Sequence, residues 1–385
     1  MVTLKPYSSK KSLLPLGSGL LITSFCMLHA EVIPFFNPIE HTTPYKSTFQ
    51  TKAFIANDPV SLDDFFHDWQ GDYSPKKGDN FAVEFLRVDM GIVLKNGYYV
   101  GYFYQNDMVI RTNRDFVDAY YAIKNNLTPQ NDTLYDLTLG IDGIERHGIV
   151  ASKTFLDYQS PTQNLKIALG AYLSYDTALQ NGTIQGTGTL SSDNTYTLLG
   201  ESTYFYSENL LYDLDVEESY GLGYGMHLAC YYTHTPSHTK VTLLINDLFA
   251  RSYWKNLPYS LITLQTQNET IGEDGYLSYD PTISGWELTK NYTQVIDPKY
   301  HIEVEKTLSP KSSFTLGYEY AYTLSMPYIK TSYKIEDATL SLRYEQRFKS
   351  LGFTYTKAYW NLSLYSNGLK DASSLGFLAT LSYAF

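Results

Sequence analysis

The feature that most restricts the fold is a strict two-residue alternation that runs to the end of the chain. From Ser313 to Leu324 one face carries Phe314, Leu316, Tyr318, Tyr320, Tyr322 and Leu324. The other carries Ser313, Thr315, Gly317, Glu319, Ala321 and Thr323. A period of two puts successive side chains on opposite faces of a strand and fits no helix. The pattern recurs from Thr339 to Phe348, with Leu340, Leu342, Tyr344 and Phe348 opposed to Ser341, Arg343, Glu345 and Arg347. Tyr300, Ile302 and Val304 oppose His301, Glu303 and Glu305, and the last face reads Phe377, Ala379, Leu381, Tyr383, Phe385. Upstream, Leu165 to Leu173 and Tyr135 to Ile141 alternate in the same way. Asn96-Gly97, Asp142-Gly143, Asn181-Gly182 and Asn367-Gly368 read as hairpin turns between neighbouring antiparallel strands.

Two architectures use such strands. A soluble sandwich turns its apolar face inward, whereas a membrane barrel turns it outward to lipid. The barrel is favoured here because the polar faces are mostly Gly, Ser, Thr and Ala with occasional charges, which suits a crowded, hydrated interior. Composition agrees. The 385 residues are 18% charged and include 37 tyrosines, yet the mean hydropathy is only −0.26. After residue 30 no apolar run reaches the ~18 residues of a spanning helix. The tyrosines are expected near the two rims, with Tyr318, Tyr320 and Tyr322 facing outward. The fold expected is therefore all-β, a transmembrane antiparallel up-and-down β-barrel of about 14 strands (roughly 12 to 16). One or two short helical insertions are expected, near 61–69 and 113–124. Ser61 is a candidate N-cap, and Leu62, Phe65, Phe66 and Trp69 share a helical face. Such a helix either lies at the surface or periplasmic side or folds into the lumen as a plug.

Residues 1–30 have the layout of a secretory signal peptide, with Lys5, Lys10 and Lys11 ahead of an apolar stretch that ends at Ala30. Residues 31–385 would then be the barrel, with Cys230 as its one cysteine and no intrachain disulfide. Removing the leader takes away three lysines and no acid, which makes the formal net charge more negative than −11. That acidity and a pI near 5.2 argue against nucleic acid as a partner.

The ending resembles that of Gram-negative outer-membrane β-barrel proteins, in which the final strand closes on an aromatic residue. Leu381, Tyr383 and Phe385 match that pattern. The resemblance implies an assembly signal read by the outer-membrane insertion machinery, and a location in the bacterial outer membrane amid its lipid. A narrower resemblance is to fatty-acid-transporter-like barrels and the conjugation-associated barrels similar to them. It rests on the Gly-rich strand from Gly221 to Tyr231 and the following Leu244-Ile245-Asn246-Asp247-Leu248. His227 stands where those barrels usually carry an acid. Their N-terminal hatch finds only a faint counterpart, Asn37-Pro38-Ile39 for Asn-Pro-Ala.

Charged side chains on strands carry what the residues say of function. Arg343, Glu345 and Arg347 lie on one polar face, and His301, Glu303, Glu305 and Glu319 on neighbouring ones. An Arg or Lys facing lipid at the midplane costs about 2–4 kcal/mol, so these residues are expected in the lumen. There they either pair structurally or set up a field that selects solutes. His234 and His238 flank Pro236 and Ser237, which makes a turn of them and not a metal site, and Asp213, Asp215, Glu217 and Glu218 read as a solvated loop. No cofactor-binding, metal-binding or catalytic motif stands out, so no enzyme activity is expected. The first functional reading is a passive channel, a porin for small solutes. The alternatives are a closed surface-exposed structural or adhesive barrel and an uptake barrel for hydrophobic compounds.

Overall fold

The computed structural model describes residues 32–39, 46–67, 69–125, 127, 132–190, 196–208, 218–265, 269–271, 277–279 and 283–384. The leader at 1–30, Asp213, Asp215, Glu217 and the terminal Phe385 lie outside the described residues. The elements are β1 (Lys46–Asn57), α1 (Leu62–Phe66), β2 (Asn80–Val93), β3 (Tyr98–Thr112), α2 (Arg114–Lys124), β4 (Thr133–Gln159), β5 (Gln163–Leu190), β6 (Tyr196–Tyr206), β7 (Gly221–His234) and β8 (Thr239–Gln265). There follow β9 (Glu269–Ile271), β10 (Leu277–Tyr279), β11 (Ile283–Val295), β12 (Lys299–Ser309), β13 (Ser312–Ala321), β14 (Leu324–Ile335), β15 (Ala338–Glu345), β16 (Ser350–Lys357), β17 (Trp360–Ser366) and β18 (Ser374–Ala384).

Fourteen of these strands close a barrel in the order β1-β2-β3-β4-β5-β7-β8-β12-β13-β14-β15-β16-β17-β18, every neighbouring pair antiparallel. Closure runs from Lys46↔Ala384 to Ala56↔Ser374 between β1 and β18, so no edge is left open along the wall. Tight turns such as 94–97, 160–162 and 336–337 lie at the end where β1 starts and β18 finishes, which marks it as the periplasmic end. At the other, cell-surface end, β4, β5 and β8 run on beyond their neighbours. There β6 pairs with the upper parts of β5 and β8, and β11 with the upper part of β8. The result is a raised sheet, β4-β5-β6-β8-β11, standing on one side of the mouth. Asp142-Gly143 and Asn181-Gly182 are not turns, contrary to the sequence expectation. They pair with each other inside β4 and β5, where Asn181 Nδ2 donates to Asp142 Oδ1 at 2.7 Å.

The wall follows the alternation. Leu316 is 54% exposed on the outer face while His301 is 3% exposed on the inner one. Outward tyrosines form two belts: Tyr175, Tyr220, Tyr253 and Tyr300 toward the cell surface, and Tyr333, Tyr359 and Tyr383 toward the periplasm. Tyr322 departs from the expected outward face. β13 ends at Ala321, and Tyr322-Thr323 form a two-residue turn with φ of 50° and 66°. The turn resets the parity, so the Tyr322 hydroxyl reaches inward to Asp107 and Leu324 is fully buried. Phe348 is reversed for the same reason: β15 ends at Glu345, and Phe348 sits beyond it, buried inside.

Both helices form where the sequence places them, slightly shortened. Ser61 Oγ accepts from Asp64 N at 3.1 Å and Asn113 Oδ1 from Phe116 N at 3.0 Å, the two N-caps. Neither helix enters the lumen. Leu62 and Phe65 lie against Ile55, Ala82, Met108 and Ile110, which share the outward face of β1, β2 and β3. The helices thus dress the outside of the wall near the cell-surface rim, with Tyr73 stacked on Tyr121 at 4.0 Å between ring centres.

Candidate functional site

The lumen is the site, and its construction begins with an irregularity in β8. Opposite β7 the register shifts twice, between Tyr224 and Met226 and between Met226 and Leu228. Asp247 and Phe249 take φ of 60° and 55°, unusual for residues with a side chain. Bulges of this kind put two residues against one on the partner strand and re-aim side chains. Here the effect is that Asn246 and Asp247, adjacent in sequence, are both buried on the inside at 1% exposure.

Asn246 grips a segment of the chain itself. Residues 32–39 run through the lumen, every one of them buried. Phe36 N donates to Asn246 Oδ1 at 2.7 Å and Asn246 Nδ2 donates to Phe36 O at 2.9 Å, so the amide acts like a strand residue toward a single peptide unit. Lys52 Nζ donates to Phe35 O at 2.8 Å, and Ile33 N to Glu319 Oε2 at 3.2 Å. Asn37 Nδ2 donates to the Tyr231 hydroxyl, while its Oδ1 accepts Ile39 N at 3.1 Å across Pro38 and closes a turn. The Asn-Pro-Ile triplet is therefore the bend that holds the segment in place.

Two kinds of surface surround this segment. Toward the cell surface the inner wall is apolar: Phe54, Phe81, Val83, Phe85, Val109, Leu324 and Met326 form one cluster with Val32, Ile33, Phe35 and Ile39. Beside it lies a network of buried charge. Arg87 holds Asp89 through two nitrogens at 2.8 Å and Gln105 Oε1 at 2.7 Å. Gln105 passes the contact to Asp107 at 2.6 Å, and Lys299 Nζ meets Asp107 at 2.5 Å. Arg146 donates to Asp247 Oδ1 at 2.7 Å and to the Tyr172 hydroxyl at 2.6 Å. The Phe36 ring lies between this network and His227, with ring centres 5.1 Å apart and the Arg87 guanidinium 5.5 Å from its centre.

The residues singled out from sequence fall into three groups. His301, Glu319 and Arg343 come together: Arg343 Nη1 donates to Glu319 Oε1 at 2.9 Å, and His301 Nδ1 lies 3.5 Å from the same oxygen. Glu303 pairs with Lys330 Nζ at 2.6 Å and accepts the Tyr328 hydroxyl at 2.5 Å. Glu345, Arg347 and Glu305 stand apart from the lumen centre. Glu345 accepts the backbone N–H groups of Arg347 and Phe348 in the β15–β16 turn. Arg347 reaches Asp58 in the loop after β1, and Glu305 pairs with Lys240 at 2.9 Å near the periplasmic end. Leu381 and Tyr383 point outward on β18.

The larger part of the network went unread in the sequence: Arg87, Asp89, Gln105, Asp107, Arg146, Asp247 and Lys299. The signal was present. Phe85, Arg87 and Asp89 share one parity, and so do Gln105 and Asp107, the same rule that picked out Arg343 and Glu345. The lumen position of residues 32–39 had no periodicity to betray it.

No family model matches the chain, and no curated protein matches it. Among solved structures, a deletion mutant of the TodX monoaromatic hydrocarbon channel aligns with 91% of this chain and 93% of its own, at 12% identity and a TM-score of 0.46. The Escherichia coli outer-membrane protease OmpT aligns with 89% of this chain and 98% of its own, at 10% identity and a TM-score of 0.26. A Pseudomonas aeruginosa FadL homologue aligns with 91% and 93%, at 10% identity and a TM-score of 0.29. Values this low say nothing about what passes through the barrel or is processed by it. The wall speaks for itself. It closes an even number of antiparallel strands from a single chain and carries an apolar outer band between aromatic belts, the form in which chains cross the bacterial outer membrane. This chain is an outer-membrane β-barrel of the Gram-negative type.

Proposed function

We propose that the barrel is a channel that admits small apolar compounds, and that residues 32–39 are its removable closure. The observation that carries this reading is the apolar inner wall at the cell-surface half, in contact with the apolar side of the segment. A hydrated solute would find no hydrogen-bond partner along Phe54, Val83, Phe85 and Met326. An apolar guest loses nothing there. The hydrogen bonds that hold the closure include those through Asn246, Lys52 and Glu319, and the described residues 32–39 form no strand. A permanently open pore for hydrophilic solutes would need the space that the segment fills.

A second reading has its own support. The ion pairs that knit wall to wall through the lumen would also suit a barrel that stays closed and serves as a surface structure. One pair of measurements separates the two. Purified protein in a planar bilayer should be electrically silent, and a chain lacking residues 32–39 should give discrete conductance steps. Cells that display the intact chain should take up an alkylbenzene faster than cells without it. A folded barrel that excludes the alkylbenzene, and that stays silent without the segment, would leave the closed structural barrel as the answer.

A further inference from the structure

We infer that the inner wall at the cell-surface end holds a binding site for a monovalent cation, built from Asp176, Ser174 and Ser252 over Gly221 and Gly223. The argument starts from a comparison among the inward carboxylates. Asp89, Asp107, Asp247, Glu303 and Glu319 each meet a lysine or arginine, and Glu345 accepts two backbone N–H groups. Asp176 is equally buried, at 0% exposure, and the bond it makes is with the neutral Ser252 hydroxyl. Its Oδ1 has no hydrogen-bond partner, and neither does the adjacent Ser174 Oγ. The arginine at its own level on the next strand, Arg146, gives its terminal nitrogens to Tyr172 and Asp247.

The strand register makes the place. Gly223 pairs with Ser174 on one side and Ser252 on the other, and Gly221 pairs with Asp176 and Trp254. The two glycines leave bare Cα positions in the middle column, and the flanking side chains lean over them. A Cβ at Gly223 would stand 2.5 Å from Ser174 Oγ and 2.7 Å from Asp176 Oδ2, and one at Gly221 2.7 Å from Ser252 Oγ. Three oxygen-bearing side chains thus converge over a floor that only glycine permits. A buried carboxylate with a single neutral donor is costly, and a cation held among oxygens relieves that cost.

The donor set names the ion. One carboxylate and two hydroxyls are hard oxygen donors of low total charge, which suits sodium or potassium. Calcium takes 6–8 oxygens and favours several carboxylates. Zinc and its neighbours prefer His and Cys, and among the described residues no group of three His, Cys, Asp or Glu side chains is placed to hold a metal. A cation here ties β5 to β8 across β7, next to the bulged part of β8.

The test uses the full chain in detergent micelles. The unfolding midpoint is read by heat-modified gel mobility in sodium, potassium and tetramethylammonium chloride at equal ionic strength. The small cation that binds should raise the midpoint by several degrees over tetramethylammonium, with a rise that grows with its concentration. Asp176→Asn should abolish the difference among the salts. Ser174→Ala, which keeps the carboxylate, should shift the dependence to higher cation concentration, and it serves where the Asn variant fails to fold. Equal midpoints in the three salts would show that no small cation is held at Asp176 and would overturn the proposal. So would a folded Asp176→Asn chain that keeps the cation dependence.

Discussion

At the scale of the residue, Asn246 is where the segment is won or lost. Its amide satisfies both the N–H and the C=O of Phe36 in a place that water does not reach. Asn246→Ala removes both bonds, at a cost of about 2 kcal/mol, or roughly a 30-fold shift toward a released segment. A cysteine placed at Ile33 in a Cys230→Ser background should be labelled by maleimide faster by that order. An unchanged rate would mean that the segment is held elsewhere. Arg347 offers a second case, outside the membrane span. Its partner Asp58 is buried, and that burial outweighs Arg347 and Lys76 to raise the carboxyl above its ordinary value. A raised folded-state value means that the site contributes most when protonated and loses that contribution as the pH rises through it. Arg347→Ala should therefore cost about 3 kcal/mol at neutral pH in urea unfolding. The loss should shrink as the pH falls through the raised value, and Asp58→Asn in the same chain should recover most of it at neutral pH.

At the scale of the element, parity was a sound guide within strands and a poor one across turns. From Ser313 to Ala321 it placed Leu316 and Tyr318 outward and Glu319 inward, as the structure has them. It failed at Tyr322 and Leu324 because the alternation passes through the turn unbroken. Hairpin turns of this type normally advertise themselves with Asn-Gly or Gly-Gly, since both central residues need positive φ. Tyr322-Thr323 accept that conformation without such a signal, and the Tyr322 hydroxyl gains Asp107 in return. Asp142-Gly143 and Asn181-Gly182 failed in the opposite sense, carrying the signal of a turn while lying side by side in long strands. A β-branched residue at φ of 66° is strained, so Thr323→Gly should stabilise the barrel by about 0.5–1 kcal/mol, read as a higher urea midpoint with the slope unchanged. A lowered midpoint would show that the Thr323 side chain, which receives Arg111 at 3.3 Å, matters more than its backbone.

At the scale of the whole molecule, the barrel and part of its inner wall were legible, and the segment that fills it was not. Alternation reports which face a residue occupies, and closing the sheet decides that the apolar face looks out. It says nothing of a segment that belongs to no strand, so it leaves residues 32–39 hidden, and Asn37-Pro38-Ile39 alone does not place them in the lumen. It also explains how a chain of mean hydropathy −0.26 can sit in lipid: the inner wall is polar enough to offset a continuous outer band. That band has a depth that can be tested. On the outer face of β12, Val304 lies between Tyr300 of the upper belt and Leu308 beside the periplasmic turn. Arginine should cost about 2–4 kcal/mol at Val304 and roughly 0–1 kcal/mol at Leu308, because the penalty falls from midplane to interface. Urea titration of each variant folded into lipid vesicles measures both. Equal costs would put the membrane at a different height on the wall.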